Sequence, residues 1–139
     1  MGLFQAFNIS ASGMTAERFR TAIIAQNIAT VNTTSTRKIV TLSEKNVTPF
    51  SQIYSSSKKA AVGNGVKVSS VTSDYSTDFI KEYDPSNPDS DADGYVSYPN
   101  VNTVTEMTNL IDATRAYEAN ATAFAASTSM AQNGLQIGK

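Results

Sequence analysis

All prolines of this 139-residue chain lie between residues 49 and 99, and neither end of the sequence contains one. A proline inside a helix removes a backbone hydrogen bond and clashes with the preceding turn, so long helices rarely contain it. Residues 3–31 are rich in Ala, Ile and Phe, and residues 103–135 repeat apolar and small side chains at helical spacing. The sequence therefore predicts two long terminal helices that flank a different kind of segment.

The C-terminal helix is predicted from a stripe of residues spaced three and four apart. The stripe consists of Met107, Leu110, Thr114, Tyr117, Ala121, Phe124, Thr128, Ala131 and Leu135. This is the spacing of a coiled-coil seam. Thr103 and Glu106 match a capping box, which predicts the start of the helix. Gly134 and Gly138 are predicted to end it.

The N-terminal helix is predicted to be apolar on more than one side. One line of residues contains Phe4, Phe7, Ala11 and Met14, is interrupted by Arg18, and resumes with Ala22, Ala25 and Ile28. Ala16, Phe19 and Ile23 form a second line. A helix with apolar residues on several sides is buried by several neighbours. One partner helix is therefore not expected to cover both lines.

The middle of the chain is predicted to form short strands and turns. Alternating or β-branched residues indicate strands near residues 39–42, 66–71, 79–83 and 95–98. The predicted fold class is α+β, with the terminal helices packed as a coiled-coil-like pair around a small β-rich insert. The predicted segments are an N-terminal helical assembly segment 1–34, a central β and turn-rich segment 35–102, and a C-terminal helical assembly segment 103–139.

Composition excludes several classes of function. The chain has no His and no Cys, so disulfides, thiolate or imidazole metal sites and any histidine-dependent catalytic triad are impossible. Lys and Arg number 11 against 12 Asp and Glu, which argues against binding of nucleic acid. Neither a phosphate-binding glycine loop nor a transmembrane segment is found in the sequence. We expect no enzyme activity, no cofactor and no metal site.

An aspartate-rich turn is the main candidate for a different function. Asp89, Asp91, Asp93 and Gly94 resemble the start of a calcium loop, but Asn100 stands where such a loop needs a glutamate. Asp and Gly are also ordinary turn residues. A plain turn is the favoured interpretation. The alternative is a secreted module on the central β segment that binds calcium or a glycan.

A second set of charged residues has two interpretations. Asp112, Arg115 and Glu118 lie three apart on one face of the predicted C-terminal helix. This spacing is typical of a solvated series of ion pairs. It is also compatible with a charged contact to a neighbouring subunit, and the spacing leaves both interpretations open.

Two stretches carry a resemblance to a known family. The sequence ISASGMTAERFRTAIIAQNIATVNTT at residues 9–34 resembles the N-terminal signature of the bacterial flagellar axial proteins, the rod and hook group. Residues 83–139 resemble the C-type branch of the proximal rod proteins of the basal body, through GYVSYPNV, the Glu106-Met107 pair and ATRAYEAN. The chain departs from the family where Thr30 replaces the last Asn of Asn-Ile-Ala-Asn and where a Gly-rich stretch is missing after Thr34.

This resemblance implies a structural subunit of the proximal rod, the drive shaft of the flagellum, which crosses the periplasm and the cell wall. It implies export by the flagellar type III apparatus without a cleaved signal peptide. The implied partners are other rod proteins, membrane-ring and adaptor proteins of the basal body, and the export apparatus. The terminal helices would assemble helically with themselves and with other rod proteins.

Together with the apolar lines, the resemblance predicts an assembly interface on both terminal helices. Its predicted residues are Phe7, Met14, Phe19, Ile23, Ile28, Met107, Leu110, Arg115, Tyr117, Glu118, Phe124 and Leu135.

Overall fold

A computed structural model describes residues 3–45 and 63–137 of the chain. The elements in chain order are helix α1 (Leu3–Ala29), strands β1 (Lys38–Glu44), β2 (Val66–Ser73), β3 (Ile80–Tyr83) and β4 (Tyr95–Tyr98), and helix α2 (Thr103–Ile137). The predicted fold class is confirmed: the long terminal helices pack against each other, and the residues between them form two small antiparallel sheets.

Helices α1 and α2 run antiparallel. Asn27 near the end of α1 meets Glu106 near the start of α2, and Phe7 packs edge-on against Phe124 with ring centroids 5.1 Å apart. Between these contacts the helices approach closely at Gly13, where a Cβ atom would lie 2.8 Å from the side-chain oxygen of Asn120. A glycine at this position therefore permits the close approach of the two helices.

The three buried residues of α2 each lie one position before a residue of the predicted seam, although Phe124 of that seam does contact α1. The buried residues of α2 are Glu106, Ala113 and Ser127, whereas Met107 of the predicted stripe is 54% exposed. On α1 the buried residues are Ser10, Gly13, Ala16, Ile24 and Asn27. Ser10, Gly13 and Ala16 on α1 and Ala113 and Ser127 on α2 are small, which permits the close approach of the helices at Gly13.

Strands β1 and β2 form a hairpin that lies along α1; we call this hairpin the strap. Its ladder shifts register between Thr41 and Leu42, so that Ser69 is an extra residue in β2. At one end Lys38 pairs with Asn27 of α1. At the other end the backbone N–H of Val66 donates to Ser12 Oγ of α1 over 3.1 Å. The strap is therefore a second neighbour of α1, beside α2, and it covers part of the apolar surface of α1.

Strands β3 and β4 form a separate small hairpin before α2. Val96 is completely buried, and Tyr83 and Tyr95 pack edge-on on the opposite, exposed face. Gly94 has a φ of 79°, and a Cβ atom there would lie 3.0 Å from the Tyr83 ring. This left-handed backbone closes the turn between the aspartate-rich segment and β4.

The predicted end of α2 at Gly134 is wrong. The helix continues through Gly134 to Ile137, and a Cβ atom at Gly134 would meet nothing within 4 Å. Because Phe7 is level with Phe124, the helical rise places Leu3 level with about Thr128. Residues 129–137 of α2 therefore extend past Leu3. Gly138 lies outside the described residues.

Candidate assembly surface

The first turn of α2 buries a charged side chain. Glu106 is only 2% exposed, and its Oε1 accepts hydrogen bonds from Arg37, over 2.6 Å from Nη2 and 3.0 Å from Nε. A buried carboxylate is costly unless it is paired and hydrogen-bonded. Arg37 supplies the opposite charge from the loop between α1 and β1, so the start of α2 is tied to the strap.

Asn27 of α1 completes the surroundings of this carboxylate. Its Nδ2 donates to Glu106 Oε2 over 3.3 Å and to the carbonyl oxygen of Lys38 over 2.8 Å. Its Oδ1 accepts from the backbone N–H of Lys38 over 2.9 Å. The amide of Asn27 thus pairs with the first residue of β1 much as another strand would, and it contacts α2 at the same time.

Asp74, directly after β2, holds the other side of Arg37. Its Oδ2 accepts from Arg37 Nη1 over 2.8 Å, and its Oδ1 accepts from the hydroxyl and backbone N–H of Ser76. The bonds from Ser76 and then those from Arg37 lower the pKa of Asp74 to about 2. We call the cluster of Asn27, Arg37, Asp74 and Glu106 the latch.

The same interactions raise the pKa of Arg37. Partial burial alone would lower it, since burial disfavours the charged guanidinium. The hydrogen bonds to Glu106 and Asp74 outweigh that effect and raise the pKa of Arg37 above its ordinary value. The guanidinium therefore stays charged between two carboxylates that belong to different parts of the fold.

The predicted capping box at Thr103 and Glu106 is wrong, because another residue caps the helix and the Glu106 side chain has other partners. Asn102 Oδ1 accepts from the backbone N–H groups of Val104 and Thr105 over 3.0 and 3.2 Å, so Asn102 caps the helix. The Glu106 side chain bonds to Arg37 and Asn27 instead. Sequence reasoning missed the latch because a glutamate three residues after a threonine fits a local cap equally well.

Among the described residues, the opposite end of the helix pair has no charged side chain. Neither residues 3–16 nor residues 119–137 contain Asp, Glu, Lys or Arg, and the antiparallel register brings these two stretches together. We call them the charge-free end. Its exposed large apolar side chains are Phe4, Met130, Leu135 and Ile137, from 62% to 86% exposed.

The predicted interface residues fall into a half-buried group and an exposed group. The half-buried residues are Phe7, Met14, Ile23, Ile28, Leu110 and Phe124. The exposed residues are Phe19, Met107, Arg115, Tyr117, Glu118 and Leu135. The pair of Phe7 and Phe124 lies in the contact between α1 and α2, so those residues have a structural role within the chain. The exposed group remains predicted as contacts to other subunits.

The face of α2 that points away from α1 combines apolar and charged residues. Val104, Met107 and Ile111 are more than half exposed, at 72%, 54% and 53%. Asp112, Arg115 and Glu118 follow, and within residues 3–45 and 63–137 none of them forms an ion pair. The series of ion pairs considered from the spacing is therefore not formed, and the contact to a neighbouring subunit stays a prediction.

The aspartate-rich segment forms a turn held by its own side chains. Asp84 Oδ1 accepts from the backbone N–H and hydroxyl of Ser86, and Asp91 Oδ1 accepts from the N–H of Ala92. Asp89 Oδ2 accepts from the Thr34 hydroxyl over 3.3 Å. Among the described residues no cluster of three or more acidic side chains is placed to hold a metal ion.

These features define the class of the protein. An elongated helix pair with a charge-free end and exposed apolar side chains is typical of a subunit of a larger assembly. Neither of the two described helices is apolar enough along its length to cross a membrane.

Comparison with known proteins identifies the particular family. Residues 92–137 match the family model described as flagellar basal body rod FlgEFG protein C-terminal. The chain is 42% identical to the flagellar basal-body rod protein FlgC of Bacillus subtilis, with complete coverage of both sequences. It is 40% identical to FlgC of Borreliella burgdorferi, over 99% of this chain and 98% of that one. It is 32% identical to FlgC of Escherichia coli O157:H7, again with complete coverage of both.

The chain therefore belongs to the FlgC family of flagellar basal-body rod proteins. Membership makes it a structural subunit of the basal body, where it assembles with other flagellar components, and not an enzyme. The resemblance stated from the two sequence signatures is confirmed over the full length of the chain.

Proposed function

We propose that the chain assembles helically into the proximal rod, with further copies of itself and with other rod proteins, through its terminal helices. The observation that carries this proposal is the charge-free end. A surface that remains in water normally carries charged side chains. Here residues 3–16 and 119–137 contain none and leave Phe4, Met130 and Leu135 exposed, so this end is suited to burial against neighbouring helices.

The separation of the exposed surfaces supports an open assembly over a closed dimer. Leu135 lies on the part of α2 that extends past Leu3, whereas Val104, Met107 and Ile111 lie at the other end of α2 and face away from α1. Contacts between different surfaces of successive subunits generate helical filaments or rings. A subunit with apolar surfaces at both ends of its helix pair fits that kind of contact.

Location and partners follow from the same proposal. The rod formed by this chain would span the periplasm and the cell wall as part of the drive shaft. The subunit would be exported by the flagellar type III apparatus without cleavage of a signal peptide. Its partners would be other rod proteins, the membrane ring, basal-body adaptor proteins and the export apparatus, with no role for nucleic acid.

A charge introduced at the charge-free end tests the proposal. Leu135→Glu changes an exposed side chain, so it leaves the fold of the single chain intact but places an unpaired charge where neighbouring helices would exclude water. Cells that carry only this variant are expected to be non-motile in soft agar and to contain normal amounts of the protein. Met130→Glu is expected to act in the same way.

The control adds the same charge outside the terminal helices. Ser97 is exposed on β4 and pairs across the hairpin with Lys81, whose charge is complementary to a new carboxylate. Ser97→Glu is therefore expected to leave swimming unchanged. Normal motility of both Leu135→Glu and Met130→Glu would show that the charge-free end stays in water and would overturn the proposal.

A further inference from the structure

The latch joins parts of the chain that are far apart in sequence. Asn27 comes from α1 and Glu106 from α2, whereas Arg37 and Asp74 flank the outer ends of β1 and β2. The backbone N–H of Asp74 also donates to the carbonyl oxygen of Arg37 over 2.8 Å, which closes the strap at this end. A single cluster thus contains a residue from each helix and the two residues that flank β1 and β2 at one end of the strap.

The burial of Glu106 makes these contacts depend on one another. When the first turn of α2 packs against α1, the carboxylate of Glu106 loses water and needs both Arg37 and Asn27 as partners. Arg37 reaches Glu106 only when the strap lies along α1. Conversely, with the first turn of α2 displaced, Arg37 loses two hydrogen bonds that hold this end of the strap.

We propose that the latch is a coupling device: it makes docking of the strap on α1 conditional on the pairing of α1 with α2, and the reverse. Coupling of this kind is reciprocal by thermodynamic necessity. A contact that a neighbouring molecule makes with the strap therefore stabilises the paired helices, and a contact that pairs the helices fixes the strap. The inference concerns this chain alone and holds whichever surface carries assembly.

The far end of the strap offers a place to perturb it without touching the latch. Gly65 has a φ of 97°, and a Cβ atom there would overlap Ser12 of α1. Gly65→Ala is therefore expected to lift the far end of the strap. Gly134→Ala is the matched control, because that position is helical and open, with nothing within 4 Å of a Cβ atom.

Hydrogen exchange of the full-length protein measures the coupling. In the parent sequence, Gly65→Ala is expected to speed exchange of the α2 amides between residues 107 and 113 by about tenfold, although none of them contacts the far end of the strap. In a Glu106→Gln background the same Gly65→Ala change is expected to leave those amides unaffected, because the latch no longer transmits it. Gly134→Ala is expected to change hydrogen exchange neither in the strap nor at residues 107–113 of α2.

Asp74→Asn provides a second background in case Glu106→Gln does not fold. It loosens Arg37 from β2 while Glu106 keeps its partners, so the effect of Gly65→Ala on α2 is expected to fall several-fold and not to vanish. The proposal is overturned if Gly65→Ala leaves the α2 amides unchanged in the parent. It is equally overturned if the effect persists undiminished in both the Glu106→Gln and Asp74→Asn backgrounds.

Discussion

The two ends of the helix pair are stabilised in different ways. At the latch end, Glu106 and Arg37 are charged, are held in short hydrogen bonds and satisfy each other within the chain. At the charge-free end the helices meet through small residues and through Phe7 and Phe124, and the remaining large side chains, such as Leu135, point into solvent. The charged groups of the latch are satisfied within one molecule, whereas among the described residues nothing covers the large apolar side chains of the charge-free end.

The two ends therefore differ in the kind of contact to which they are suited. Buried ionic groups demand exact partners, so they suit contacts that the chain makes with itself. Apolar and small side chains accept partners of many shapes, so they suit contacts with different neighbours. We therefore expect substitutions at the latch end to change the stability of the single chain, and substitutions at the charge-free end to change assembly as well.

The largest effect is expected from Phe124→Asp. Phe124 is half-buried against Phe7, so the change removes an aromatic contact and places a charge among uncharged residues. We expect a loss of about 3 kcal/mol in the free energy of unfolding. Motility in soft agar is expected to be abolished although the protein is still synthesised. Phe124→Leu, which keeps the site apolar, should retain swimming; motility of the Asp variant would show that this end is solvated.

Glu106→Gln breaks the latch end by removing its buried charge. Arg37 then lacks one of its two carboxylate partners, and hydrogen bonds to charged groups contribute more than neutral ones. We expect the free energy of unfolding to fall by about 2–3 kcal/mol in urea titration. Glu118→Gln is the control, since this exposed carboxylate has no ion pair among the described residues. Equal stability of the two variants would contradict a structural role for the latch.

Gly13→Leu tests the close approach between the two ends. A side chain at this position overlaps the Asn120 amide, so the helices must separate. We expect a cost of about 2 kcal/mol in the free energy of unfolding. Adding Asn120→Ala in the same chain should recover part of this loss because it removes the overlapping atoms. Gly134→Leu, in open space, should cost nothing; if Gly13→Leu is as well tolerated, the helices are not in close contact there.

The smallest effect concerns the pH dependence of the latch. The pKa of Asp74 is lowered from 3.8 to about 2, so its charged form stabilises the folded state above pH 3.8, and that contribution is lost as the pH falls through about 2. Asp74→Asn should therefore have a lower urea midpoint than the parent at neutral pH. The difference should shrink across this window. A difference for Asp74→Asn that stays constant across this window would remove the electrostatic explanation.

Local signals in the sequence were sufficient for the elements of the fold. Periodicity and the absence of proline predicted both terminal helices to within a few residues, and β-branched runs predicted all four described strands. Gly134 was misread as a helix end because glycine commonly follows helices, but it is also tolerated inside one at a cost of about 1 kcal/mol. Here the long apolar and small-residue stripe of α2 outweighs that cost.

The latch could not have been found in the same way. Asn27 and Glu106 are 79 positions apart, and each fits a local role, as an ordinary polar residue of a helix and as part of a capping box. Which role a polar side chain takes depends on what is packed against it after the chain has folded. Residues spaced for a local contact, such as Arg115 and Glu118, can likewise remain unpaired because exposed ion pairs contribute little.

Local sequence was enough to specify the two helices, the small strands and the lack of charge in residues 3–16 and 119–137, because each depends on neighbouring residues or on composition. Packing between distant segments set which line of α2 faces α1, that the strap covers part of α1, that the pairing of α1 with α2 brings residues 3–16 and 119–137 together, and that Glu106 binds Arg37. Those outcomes depend on contacts between segments that are remote in the chain. The close approach of the helices at Gly13 and the need of the buried Glu106 carboxylate for partners select one arrangement.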